Sequence, residues 1–149
     1  MNRRMFLRAA SLSLLGAIGA ARAEPPTVEV YKSASCDCCR KWVEHVRTAG
    51  FPVRVTNVPY TGEYRKKFGV PDRLGACHTA RVAGYAIEGH VPVREIERLL
   101  KERPDAIGIA VPAMPPGSPG MEGPPPQAYD VLLIHRDGTY TVYGHYDAK

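Results

Sequence analysis

Past residue 23 this sequence has no long hydrophobic run, no excess of charge of either sign and no internal repeat, and in all its 149 residues it has only four cysteines. Each scarcity excludes something. The one sustained apolar stretch, Ala9 to Ala21, is too short for a comfortable membrane span, and nothing later resembles one. It follows Arg3 and Arg4 and ends at Ala21-Arg22-Ala23, the small-residue pattern of a cleavable export signal, so residues 1–23 are expected to be a signal peptide cut after Ala23. Arg3-Arg4-Met5-Phe6-Leu7-Arg8 resembles the twin-arginine signal, with an ordinary secretory signal as the alternative. That segment holds four arginines and no acid; the 20 basic residues less those four leave 16 against 15 acids, a net charge of +1. The basic isoelectric point of the whole chain therefore gives no support to nucleic-acid binding, which needs a basic stripe on the folded domain. Residues 24–149 suffice for one domain with a real core, without disulfide staples.

The cysteines are thereby left free for function. Three stand within four residues, Cys36-Asp37-Cys38-Cys39, and the fourth, Cys77, lies some forty positions on. Thiolates are soft, nucleophilic and redox-active, so such a turn suits a soft metal, disulfide exchange, or both. Two structural disulfides are the usual reading of four cysteines in an exported chain. Bunching argues against it, because bridges within one turn close almost no loop, and a vicinal Cys38–Cys39 bond would strain the backbone. Copper(I) is preferred over zinc, whose structural sites space their ligands as two separated pairs. Adjacent sulfurs chelate a single tetrahedral ion poorly but bridge several ions well, so more than one copper per chain is expected.

Around the cysteines the pattern is α/β. Thr27 to Lys32 alternates as a strand, Trp42, Val43 and Val46 recur at helical spacing until Gly50, Phe51 to Val58 reads as a second strand, and Glu63 to Phe68 as a short helix. Thr79 to Tyr85 and Ala86 to Gly89 read as a hairpin, and Pro92 opens a helix that ends near Pro104. The order βαβα then ββα is the plan of a thioredoxin-like domain, with the first two strands parallel. In that plan the cysteine turn opens the first long helix, whose amides favour thiolate, and the loop carrying Cys77 returns opposite it. Ala110 to Gln127, dense in proline and glycine, is expected to be an irregular flap, ordered or disordered, followed by a C-terminal β-hairpin, Tyr129 to Arg136 and Thr139 to Tyr146, joined at Asp137-Gly138.

The turn Cys36-Asp37-Cys38-Cys39 with Trp42, the segments Cys77-His78-Thr79-Ala80, Gly84-Tyr85 and Glu88-Gly89-His90-Val91-Pro92, and the run Gly117 to Glu122 together resemble the exported, copper-resistance-associated CopG proteins, which are unrelated to the DNA-binding repressors of that name. The resemblance spans roughly residues 27–146. It implies a periplasmic, thioredoxin-like domain that handles copper through Cys36, Cys38, Cys39 and Cys77.

Further candidate ligands are Met121, Met114 and His78, the methionines because thioether suits copper(I) and a Pro/Gly flap has little core for them to fill. His90, at a helix start, reads as a capping or hydrogen-bonding residue; His45, His135 and His145 read as surface histidines, and Trp42 as core. The expected function is copper resistance by sequestration, redox cycling, or hand-over to a periplasmic exporter, chaperone or oxidase. The alternative is a thiol-disulfide oxidoreductase with Cys36 as nucleophile and Cys39 resolving. A secreted adaptor stapled by two disulfides is the third reading.

Overall fold

In a computed structural model, which describes residues 24–148, the chain forms seven strands and three α-helices. The expected signal peptide, residues 1–23, lies outside the described residues. The elements are β1 (Val28–Lys32), α1 (Asp37–Thr48), β2 (Val53–Asn57), α2 (Gly62–Lys67), β3 (His78–Val82), β4 (Tyr85–Gly89), α3 (Val93–Glu102), β5 (Gly108–Val111), β6 (Tyr129–Ile134) and β7 (Tyr140–Tyr146). One mixed sheet runs β2-β1-β3-β4-β5-β6-β7, with β1 parallel to β2 and β4 parallel to β5.

Strand alternation divides the interior in two. Val28 and Val30 of β1, Ala80 and Val82 of β3, Ile87 of β4, and Ile109 and Val111 of β5 point to one face, where α1 lays down Trp42, Val43 and Val46 and α3 lays down Ile96 and Leu99. The intervening residues Ala86, Ala110 and Ile134 meet Val70, Leu74 and Phe68 on the other face. There Tyr64 of α2 stacks on Tyr31 of β1 with ring centroids 3.9 Å apart. The cysteine turn and α1 thus sit on one side of the sheet and α2 on the other.

Two parts of the fold depart from the pattern read in the sequence. β5 is a strand where the irregular flap was expected to begin at Ala110. All four of its residues are buried, because both faces of the sheet are covered there, and a strand buried on both sides shows no alternation. Its presence also settles the place of the C-terminal hairpin, which extends the sheet through the antiparallel pairing of β5 with β6. The turn between β3 and β4 falls at Ala83-Gly84, both with positive φ (47° and 91°), so Tyr85 opens β4 rather than closing β3.

Candidate metal centre

β1 ends at Lys32, and Ser33 to Ser35 carry the chain to Cys36, which caps the N-terminus of α1: its Sγ accepts a hydrogen bond from the Cys39 amide at 3.4 Å. Over the next turn of helix the chain places Cys38 and Cys39 beside it. The loop from the short 3₁₀ turn Asp72–Leu74 into β3 returns to the same point and delivers Cys77. All four sulfurs lie within 4.8 Å of one another. Cys36 and Cys39 are joined as a disulfide, with Cα atoms 5.3 Å apart, whereas Cys38 and Cys77 are free thiols. The Cys38 sulfur lies 3.5 Å from that of Cys36 and 3.8 Å from that of Cys77, so it stands between the bonded pair and the facing loop. The four residues named from sequence therefore converge, in a form in which two are oxidised.

Two imidazoles complete the far side. His90, just past β4, is buried, and its Nδ1 lies 2.9 Å from the carbonyl oxygen of Pro119. A carbonyl only accepts, so Nδ1 carries the proton and Nε2 keeps the lone pair. Nε2 faces the Cys77 sulfur at 2.9 Å. Burial lowers the His90 pKa against the opposing pull of that carbonyl, so the ring is held neutral with its free nitrogen on the thiol. Anchoring of the far ring nitrogen by a backbone carbonyl is the arrangement that orients ligating histidines. His78, the first residue of β3, is wholly buried with Nδ1 3.5 Å from the same sulfur and its ring packed on Trp42 at 4.3 Å. Burial first and the neighbouring His90 second push its pKa down to about 3. A backbone contact with Gly89 pulls the other way. Cys77 itself is pushed up to about 12, mainly by burial and then by Cys38, so without metal it is a thiol.

His90 is the residue the sequence reading undervalued. It does form hydrogen bonds, as expected, but one of them aims its free nitrogen into the cluster. The sequence signal for it was only its place two residues before the Pro92 that caps α3. His45 also does more than sit on the surface: its Nε2 accepts a hydrogen bond from the Val93 amide at 3.2 Å, which joins α1 to the start of α3.

The flap is ordered. Ser118 N–H and Oγ–H both donate to the Pro115 carbonyl, Met121 N–H donates to Ser118 O, and Gln127 N–H to Pro116 O. Gly120 lies against the start of α1, with φ of +93°. A Cβ there would stand 2.6 Å from the Cys38 carbonyl oxygen and 3.1 Å from the Trp42 nitrogen, so only glycine lets the flap seat on the cysteine turn. The flap therefore reaches the centre through its backbone, at Pro119 and Gly120. Met121 follows directly and is half-buried, while Met114 is 42% exposed on the outer part of the flap.

Trp42 is core, as its spacing indicated: it is fully buried and its indole N–H donates to the Val91 carbonyl at 2.8 Å. Of the hairpin histidines, His145 pairs with Asp130 across β6 and β7 at 2.6 Å, and that hydrogen bond raises its pKa; His135 meets Thr141.

Residues 74–121, which include Cys77, His78, His90 and most of the flap, match the family described as "Protein of unknown function, DUF411". No curated protein matches the chain. Two solved structures, named "Copper resistance protein copG", Form 1 and Form 2, each show 40% identity and a TM-score of 0.78, over 83% of this chain and 99% of theirs.

Proposed function

We propose, from the premise that the chain belongs to the copper resistance protein CopG family, that it binds copper(I) through Cys36, Cys38, Cys39 and Cys77 once the Cys36–Cys39 bond is reduced. The observation that carries this reading is the convergence of four sulfurs, from two separate segments, within 4.8 Å. Thiolates are the donors copper(I) prefers, and four in so small a space suit bridging of more than one ion. His90, with its proton fixed on Nδ1, and His78 stand ready as nitrogen donors at the edge of that sulfur set. Met121, next to the Gly120 that seats on the Cys38 carbonyl, and then Met114 are the flap thioethers that would add a weak soft contact.

The remaining parts of the reading belong to the same proposal. Residues 1–23 are a removable export signal and residues 24–149 a single periplasmic domain. Among the described residues no helix is long and apolar enough to cross a membrane, which is compatible with export. The first four strands, with β1 parallel to β2, β3 and β4 antiparallel beyond β1, and a cysteine turn capping α1, support a thioredoxin-like ancestry. Copper reaches the site from, or leaves it to, a periplasmic exporter, chaperone or oxidase, and the task is copper resistance.

The second reading, a thiol-disulfide oxidoreductase, is favoured by one specific observation: Cys36 and Cys39 are already joined across a Cys-x-x-Cys spacing at a helix N-terminus. The two readings share a consequence, since closing that bond withdraws two of four thiolates. Loss of a group that merely supports a ligand costs about 10–100-fold in metal affinity. Competition for copper(I) against a chelator is accordingly expected to show at least about tenfold tighter retention by the reduced protein than by protein with the Cys36–Cys39 bond intact. Equal retention by the two forms would remove Cys36 and Cys39 from the ligand set and leave them to exchange chemistry.

A further inference from the structure

On the side of the sheet away from the cysteine turn, Glu88 of β4 is a fully buried carboxylate that touches no sulfur. Its surroundings are all donors. Oε1 accepts from the Ala76 amide at 2.7 Å and from Arg65 Nε at 2.9 Å, and Oε2 accepts from the Thr79 hydroxyl at 2.6 Å. Arg65, reaching across from α2, also donates from Nη2 to the Ala76 carbonyl at 2.9 Å. Both peptide groups of Ala76 are thereby tied, and the second of these is the amide bond that leads into Cys77. Thr79, the residue after His78, is tied to the same carboxylate. Gly75 makes room for this: a Cβ there would lie 2.6 Å from the Arg65 guanidinium carbon.

Such an arrangement needs a reason other than stability. Taking an ion pair out of water costs several kcal/mol per ion, and well-packed apolar residues in its place are often neutral or stabilising. What this pair does instead is geometric, because one carboxylate brackets Cys77-His78 from both ends and so fixes where the Cys77 sulfur stands. We infer that Glu88 and Arg65 are positioning residues for the metal centre, holding the Cys77 sulfur 3.8 Å from that of Cys38 and 2.9 Å from His90 Nε2. The inference rests on the copper reading only for the identity of the metal.

The test has one arm without metal and one with it. In full mature protein with the Cys36–Cys39 bond closed, mild oxidation is expected to link Cys38 to Cys77, and Glu88→Gln, which turns an amide N–H₂ toward one of the three donors, is expected to slow that linkage at least about tenfold, the scale on which supporting residues act. In reduced protein, Glu88→Gln is expected to weaken copper(I) retention by a similar factor, and to add nothing when Cys77 is already serine, since a positioning residue acts only through what it positions. Arg65→Lys, which keeps the charge but loses the second donor, is expected to behave the same way and serves if Glu88→Gln fails to fold. A Cys38–Cys77 linkage as fast as in the parent, or an equal loss of copper on the Cys77→Ser background, overturns the inference. The metal-free arm is unaffected if the centre turns out not to hold copper.

Discussion

Serine in place of Cys38 is expected to cost the reduced protein more than about a hundredfold in copper(I) retention, beyond the upper end of what loss of a supporting residue costs. Cys38 is the informative position because its sulfur lies 3.5 Å from that of Cys36 and 3.8 Å from that of Cys77, so a role in bridging the two segments falls first on it. It is also outside the disulfide. Cys38→Ser therefore leaves Cys36 and Cys39 able to open and close, and a thiol-exchange activity measured against a small disulfide should survive in the variant that has lost copper. Chelator competition and exchange rate, measured on the same preparation, separate the two readings: copper retention unchanged in Cys38→Ser would discard the sulfur cluster and promote the oxidoreductase.

Alanine in place of Trp42 is expected to destabilise the fold by about 3–5 kcal/mol, the range for emptying an aromatic site in a core. Against a total stability of about 5–15 kcal/mol this is a large fraction. The indole is fully buried in the larger hydrophobic core cluster, donates to the Val91 carbonyl, and packs against the His78 ring. Its loss opens a cavity and leaves the Val91 carbonyl unpartnered in the same step. Thermal melting should fall by more than about 6 °C for a chain of this length. A smaller shift would mean that the surroundings of α1 and the cysteine cluster collapse to fill the space, and that the indole is not the support for His78.

Much of this molecule was legible because its signals are local. The cysteine turn announces itself, α1 shows its buried stripe through Trp42, Val43 and Val46, and the parallel β1 and β2 follow from alternating segments joined by a helix. β5 was missed because Gly108–Val111 is buried on both faces and runs straight into a proline-rich segment, so neither alternation nor a turn marked it. The partners of Cys77 were harder to read. Glu88 is the fourth residue of a short strand and Arg65 a basic residue in a polar helix; each alone is the usual surface residue, and only the pairing of β3 with β4 beneath α2 brings them to Ala76. His90 was seen as a hydrogen-bonding residue, but its direction is set by Pro119, 29 positions later in a flap with no periodicity to read. The Cys36–Cys39 bond is of another kind: the Cys-x-x-Cys spacing was plain, and what spacing does not carry is the oxidation state of the pair.

The central claim is that sulfur from Cys36, Cys38, Cys39 and Cys77 is the ligand set for copper. X-ray absorption at the copper edge, on reduced mature protein loaded with copper(I) and freed of excess, tests it most directly. A first shell made up chiefly of sulfur, with copper–copper scattering if ions are bridged and a minor nitrogen contribution from His90, is the predicted result. A first shell of nitrogen and oxygen without sulfur would contradict it.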